Sequence, residues 1–398
     1  MNPETEKLFS PPPVLKGYLY EGRDAYEARN SNRLLAIRLE TNTSCNLRCR
    51  YCYAQSGEAS SSEKVADFEG LKSIVSEAKG LGARSVVVIG GGEPTLYPNF
   101  RELIVYIDSL GLVPMIFSNT LLMTKELAGF LYEHNASVMG KLDSLRPEVQ
   151  DYLAGKEGAS AAIGKGLSNL IEAGFSEERE AGVLRLGVSF VSNKMNLGEI
   201  EEIWHFCRKN RIFPNMEILT PTGRANDELA DKLLTAGEIR TYKMKLLEID
   251  REYYGYDWLP YTPITASGCL QHLYSLYINI EGNVRPCAPA KLDEHPFFWV
   301  DGEYPYNVNK MSLKEVHASE LFSYVRNIDR VLEGRCSACE HLDECIGCRG
   351  YAYSVGINKG LGPLEALRME CQQCFKEKLE EKPQKGIANF AKPEEVEK

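Results

Sequence analysis

The chain has no apolar run approaching the roughly 20 residues that a membrane-spanning helix needs. Its start, Met1-Asn2-Pro3-Glu4-Thr5-Glu6, lacks the basic opening and apolar centre of a signal peptide. Neither a membrane span nor export is expected, and the cytoplasm is the expected compartment. Positive charge is not in excess either: 46 Lys and Arg stand against 56 Asp and Glu, a net charge of −10. That balance argues against a nucleic-acid partner, which would want a basic stripe, while leaving room for a local basic patch around a bound anion. No internal repeat is present. What the chain does have is cysteine, 12 in 398 residues. Where glutathione and thioredoxin keep thiols reduced, such cysteines read as metal ligands rather than disulfides.

From Leu34 the sequence alternates between β-rich runs and amphipathic helical patterns. Strands are expected at Leu34–Glu40, Ser85–Ile89, Val113–Phe117, Ser137–Leu142, Leu184–Val191 and Ile212–Leu219. Helices are expected at Glu63–Gly80, Asn99–Leu110, Thr124–Glu133, Ala159–Ala173 and Leu197–Asn210, several ending at a glycine such as Gly80, Gly111 or Gly174. This alternation implies an α/β fold with a parallel sheet and right-handed crossovers. Six units fall short of the eight of a closed barrel, and the pattern alone does not separate a partial barrel from a doubly wound sheet.

Three thiols, Cys45, Cys49 and Cys52, sit at spacings x3 and x2 directly after the first strand. A cubane iron–sulfur cluster offers four irons, so three cysteines leave one iron open to a cofactor or substrate. A zinc site would want four ligands, and no fourth lies nearby. With the aromatic Tyr51 before the last cysteine, and with Gly90-Gly91-Gly92-Glu93-Pro94 after the second strand, the stretch resembles the signature of radical S-adenosylmethionine (SAM) enzymes. The resemblance implies a partial (β/α)6 TIM-type barrel open on one side, a [4Fe-4S] cluster, and SAM bound at its open iron. It further implies reductive cleavage to a 5′-deoxyadenosyl radical that removes a hydrogen from substrate, with the electron supplied by a donor such as ferredoxin or flavodoxin. Gly91 and Gly92 would allow close backbone approach to the methionine group, and Glu93 would accept from its ammonium. Ser118 and Asn119, at the end of the third strand, are candidates for the ribose or methionine group, with a strand-end cap as the alternative. Lys141 is a candidate for the SAM carboxylate and Ser189 a further contact. Arg224, after the sixth strand, would close the site or cap a turn.

A second cysteine series runs Cys269-x12-Gly282-x4-Cys287, then Cys336-x2-Cys339-x5-Cys345-x2-Cys348, then Cys371-x2-Cys374. It is similar to the SPASM extension of radical SAM enzymes, departing in the last pair of its middle group, Cys345 and Cys348, spaced x2 rather than x3, and in one extra terminal cysteine. Eight thiols suffice for two auxiliary [4Fe-4S] clusters. By the family pattern Cys336, Cys339, Cys345 and one of Cys371 or Cys374 hold one of them. Cys269, Cys287 and Cys348 hold the other, completed by the remaining terminal thiol or left with an open iron. A zinc knuckle at Cys336, Cys339, Cys345 and Cys348 competes, against a gap shorter than zinc ribbons use. Cys207 reads as a core residue and His272 as a structural histidine.

The expected organisation is a lead-in (1–33), the SAM core (34–225), a polar helical linker leading away from it (226–261), a small irregular cysteine-rich α+β domain (262–375) and a charged, disordered tail (376–398). The expected activity is that of an oxidoreductase or maturase acting on a peptide or protein residue, with the auxiliary clusters accepting an electron. The alternative substrate is a small molecule. The sulfatase maturases carry Asp where Ala288 stands here, and 33 residues leave little room for a leader-recognition domain. A non-enzymatic electron carrier would need neither the open iron nor the glycine motif.

Overall fold

The computed structural model describes residues 9–20, 22–57, 63–260, 269–343 and 345–374. The expected tail and the segment just before Cys269 lie outside these residues.

The strands are β1 (Val14–Leu15), β2 (Ala36–Leu39), β3 (Ser85–Val88), β4 (Val113–Ser118), β5 (Ser137–Lys141), β6 (Val183–Leu184), β7 (Leu186–Ser192), β8 (Phe213–Ile218), β9 (Ser275–Ile278) and β10 (Val284–Arg285). The helices are α1 (Gly22–Asn30), α2 (Phe68–Gly80), α3 (Phe100–Ser109), α4 (Lys125–Glu133), α5 (Pro147–Ala154), α6 (Ala159–Glu172), α7 (Ile200–Lys209), α8 (Arg224–Glu228), α9 (Ala236–Ile249), α10 (Gln271–Tyr274), α11 (Leu313–Ala318), α12 (Glu320–Arg326), α13 (Arg349–Asn358) and α14 (Pro363–Arg368).

The main sheet runs β10-β9-β2-β3-β4-β5-β7-β8 and is parallel except for β10. Its two edge strands do not pair with each other, so it is a barrel left open between β8 and β10. All six expected strands are present. The sequence reading missed a seventh parallel strand: β9, from the cysteine-rich part, pairs with β2 in register Arg38↔Tyr277. Alternation sorts the side chains. Ile37, Leu39, Val86 and Val88 face the helical layer in the main core. Val87, Met115, Met139 and Phe213 face inward and pack on Leu15 and Tyr18. The lead-in is therefore part of the barrel: β1 pairs with β6, and Leu15 and Tyr18 plug the barrel floor.

Two helical expectations change. Helix α2 starts at Phe68 rather than Glu63, because Asp67 caps it by accepting from Gly70 N at 2.7 Å. The residues before the cap run extended beside the chain leaving β2, with Ala66 N donating to Thr41 O at 2.8 Å. The stretch expected as one polar helix is broken after Glu228 and restarts at the Thr235/Glu238 capping box. Nor does it lead away from the core, since α9 buries Ile239, Leu246, Leu247 and Ile249. Cys207 is a buried core residue, as expected.

Beyond α9, the Asp250 carboxylate is fully buried. Its Oδ1 accepts from Trp204 Nε1 (2.8 Å) and Arg208 Nε (3.0 Å), and its Oδ2 from Arg208 Nη2 (2.6 Å) and Trp258 Nε1 (2.9 Å). Removing one partner of such a buried pair leaves the other charge uncompensated. Asp250→Ala is expected to cost about 3–5 kcal/mol in denaturant unfolding, and a loss under 1 kcal/mol would contradict this account.

His317 is buried, its Nε2 finds no partner among the described residues, and burial with the nearby Arg326 pushes its pKa down to about 3. The folded state then binds fewer protons than the unfolded one below the ordinary value of about 6.5. The stability that neutral His317 secures is complete above that value and is lost as pH falls towards 3. Unfolding free energy is expected to decline through that window, and His317→Leu to flatten the decline.

Candidate active site

The loop after β2 is assembled by backbone contacts at the mouth of the barrel. Gly92 N donates to Asn42 O at 2.6 Å and Glu93 N to Ser44 O at 2.8 Å, so residues 91–93 run beside residues 42–44. This approach requires glycine. A Cβ on Gly92 would lie 1.9 Å from Ser44 O, and one on Gly91, where φ is +63°, would lie 2.4 Å from Asn42 O. Asn42 ties both segments, donating from Nδ2 to Ser44 O (2.9 Å) and Glu93 O (3.1 Å). On the other flank Arg48 N and Arg50 N donate to Ala154 O and Leu153 O at the end of α5. Glu228 pairs with both guanidinium groups at 2.7 and 2.8 Å. Arg224 N donates to Cys52 O at 3.1 Å, and its guanidinium to Ser56 O.

Cys45, Cys49 and Cys52 lie in this loop, each partly accessible. Burial pushes Cys45 up to about 11 and Cys49 up to about 12, and neighbouring thiols add to the rise. Three partly accessible thiols in one loop are the donor set an iron–sulfur core takes, and binding there would displace their protons.

Glu93 is buried and its pKa is raised by desolvation. Its Oε1 accepts from Ser118 Oγ (2.8 Å) and Thr95 Oγ1 (2.7 Å), and its Oε2 from Asn119 N (2.8 Å). Glu93 and Ser118 thus lock the ends of β3 and β4 together. Asn119 reaches the thiol loop, donating from Nδ2 to Asn46 Oδ1 at 2.6 Å, with Cys45 Sγ 4.0 Å away. Lys141 lies 3.1 Å from Asp143 Oδ1 and 4.6 Å from the centre of the Tyr51 ring, while Tyr51 OH donates to Asp143 Oδ2 at 2.5 Å. Asp143, which the sequence reading passed over, is fully buried and organises Tyr51, Lys141 and Val191 N. Ser189 lies deeper, donating to Glu217 Oε1 at 3.3 Å.

The sequence reading also missed a chain linking the two cysteine-bearing parts. Tyr53 OH lies 3.0 Å from Tyr277 OH on β9, and Tyr277 OH donates to Glu40 Oε1 at 2.5 Å. Glu40 Oε2 accepts from Ile280 N at 2.9 Å. Tyr53, next to the last cysteine of the first motif, was the available signal.

The later cysteines gather in two neighbourhoods. Cys287 is pushed up to about 12 by burial, with Cys348 and Cys269 adding to it. Cys345 is pushed up to about 12 by burial, with Cys371 and Cys336 adding. Cys371 Sγ accepts from Cys348 N at 3.3 Å and so stands between the groups, while Cys374 adds to the rise at Cys336. Cys339 sits one turn from Cys336, donating N–H to its carbonyl at 3.2 Å. Among the described residues, no three His, Cys, Asp or Glu side chains close on a single metal ion. Lys243 of α9 is buried beside Cys345, Cys371, Cys374 and Cys348. His272 is half-buried, and desolvation, with Arg349 and Arg29 nearby, pushes its pKa down to about 3.

Residues 39–207 match the radical SAM superfamily and residues 269–340 match SPASM, an iron–sulfur cluster-binding domain. The chain is 28% identical over 352 residues to the mycofactocin maturase MftC of Mycobacterium tuberculosis, covering 85% of this chain and 83% of that one. It is 26% identical over 354 residues to the AdoMet-dependent heme synthase of Oleidesulfovibrio alaskensis, covering 80% and 83%. In fold it is similar to Streptococcus suis SuiB bound to S-adenosylmethionine, with a TM-score of 0.63, 18% identity and coverage of 88% and 80%. No described helix is long and apolar enough to cross a membrane. With an x3-x2 thiol loop at the barrel mouth and a cysteine-rich extension whose strand joins the same sheet, the chain belongs to the radical SAM superfamily and carries a SPASM domain: it is an enzyme that uses S-adenosylmethionine and [4Fe-4S] clusters.

Proposed function

We propose that this enzyme oxidises or crosslinks a residue of a peptide or protein, in the cytoplasm and with a one-electron donor such as ferredoxin or flavodoxin. Cys45, Cys49 and Cys52 would hold three corners of the SAM-binding cluster. Cys336, Cys339 and Cys345 with one terminal thiol would hold one auxiliary cluster. Cys269, Cys287 and Cys348 would hold the other. When bound, the cluster and SAM supply a 5′-deoxyadenosyl radical able to take a hydrogen atom from the substrate.

The chain's own residues position and shield. The backbone of Gly91 and Gly92 fixes the thiol loop against the barrel mouth. Glu93, held by Ser118, Thr95 and Asn119, keeps the β3 and β4 loop ends at a set separation, so a bound methionine group meets a rigid wall. Lys141, steadied by Asp143 and Tyr51, offers a cation for a carboxylate at the fourth and fifth strand ends. The plug of Leu15 and Tyr18 closes the barrel floor to water.

The observation that carries this reading is the set of eight later cysteines, each with a thiol neighbour or a turn contact to another of them, on a part whose β9 shares the barrel sheet. Full thiolate ligation suits electron transfer, which a net oxidation requires. The maturase relative favours a peptide substrate. A small-molecule substrate is the second reading, favoured by the heme synthase relative at similar coverage. Product mass spectrometry on candidate peptides against metabolite extracts separates them.

Anaerobically reconstituted, reduced protein is expected to convert SAM to 5′-deoxyadenosine and methionine, and Cys49→Ala to abolish this. Absence of 5′-deoxyadenosine from wild-type protein with a full iron complement would defeat the proposal. A Cys336→Ala/Cys339→Ala double variant is expected to lose about four irons per chain by iron and sulfide counting. An unchanged count would remove those two residues from the ligand set.

A further inference from the structure

The barrel interior contains a guanidinium group, two of whose nitrogens find no acceptor among the described residues. Arg38 lies in the middle of β2 and is 8% exposed. Its strand neighbours Ile37 and Leu39 pack outward in the main core, so Arg38 points inward, level with Val87 of β3 and Tyr277 of β9. Nε and Nη2 are buried and find no hydrogen-bond partner among the described residues. The Tyr18 ring lies 5.8 Å from the guanidinium carbon and steadies the group. Burying an unpaired charge is strongly unfavourable, and arginine, unlike histidine or lysine, does not escape by losing its proton.

The Glu217 carboxylate of β8 is engaged by other groups. Glu217 Oε1 accepts from Asn215 Nδ2 at 2.8 Å and from Ser189 Oγ at 3.3 Å. Asn215 Oδ1 in turn accepts from Tyr18 OH at 3.4 Å. One wall of the interior therefore presents a bare bidentate donor, and β7 and β8 present an acceptor-bearing polar cluster. Arg38 pairs in register with Tyr277 of β9, so it stands on the side of the barrel that the cysteine-rich part adjoins.

We propose that Arg38 binds a carboxylate of the substrate inside the barrel, with its planar fork matched to the two oxygens. This deepens the reading above and rests on the barrel interior being the substrate chamber. The chemistry is shared by a peptide's terminal carboxylate, an acidic side chain and a small-molecule acid.

The test measures binding of 4-fluorobenzoate to the full-length reconstituted protein by fluorine NMR. Arg38→Gln is expected to weaken binding about tenfold or more, Arg38→Lys to fall between, and 4-fluorobenzamide not to compete. Arg38→Lys keeps the test decisive should the glutamine variant not fold. Displacement by acetylglycine points to a terminal carboxylate, and displacement by acetylglutamate amide to an acidic side chain. No binding to wild-type protein, equal binding to the variants, displacement by neither acid, or tighter binding of 4-fluorophenyl phosphate would each overturn the proposal. SAM cleavage by the same wild-type sample reports separately on the underlying reading, so one can fail without the other.

Discussion

Two backbone segments, 42–44 and 91–93, lie so close that a single methyl group between them would collide with a carbonyl oxygen. That approach sets the geometry at the barrel mouth. It brings the exit of β2 against the exit of β3, and the chain that carries Cys45, Cys49 and Cys52 must leave in the one direction that remains. The loop has little regular structure of its own. Its shape is imposed by α5, by Glu228 and by the Arg224 backbone, each of which satisfies polar groups that would otherwise be stranded.

The same economy appears in the barrel interior. A partial barrel has an open flank and an open floor, and chain from outside the repeating βα pattern is added at both, though the flank between β8 and β10 stays open. Leu15 and Tyr18 fill the floor from the N-terminal side, and β9 extends the sheet beside β2 from the C-terminal side. The hydroxyl chain from Tyr53 through Tyr277 to Glu40 then couples the first cysteine loop to the SPASM strand. Glu217 is paired with Asn215 and Ser189 on one side of this chamber, while Nε and Nη2 of Arg38 find no acceptor among the described residues. In a low-dielectric interior an unmatched charge reads as half of a recognition pair.

The individual site residues come with partners that only the folded chain brings to them. Glu93 and Ser118 contact each other and fasten two strand ends, while the Asn119 side chain reaches Asn46 in the thiol loop. Lys141 comes with a buried counter-ion, Asp143, which also holds Tyr51. None of these partnerships is encoded in local spacing, because each joins residues from different strands.

What the sequence determined by itself was whatever depends on short-range order. Strand and helix alternation, the x3-x2 thiol spacing, the glycine run and the pairing pattern of the later cysteines all act over a few residues or within one βα unit. The six barrel strands therefore match expectation to within a residue or two. Only the tertiary structure decided that Ser275–Ile278 joins the sheet beside residues some 240 positions earlier, that a polar-looking lead-in plugs the floor, and that Asp143, Tyr277 and Arg38 belong to the chamber. Those features depend on long-range packing of a short strand, on two apolar side chains within a polar segment, and on which face of a strand turns inward. A linear pattern carries too little of that information.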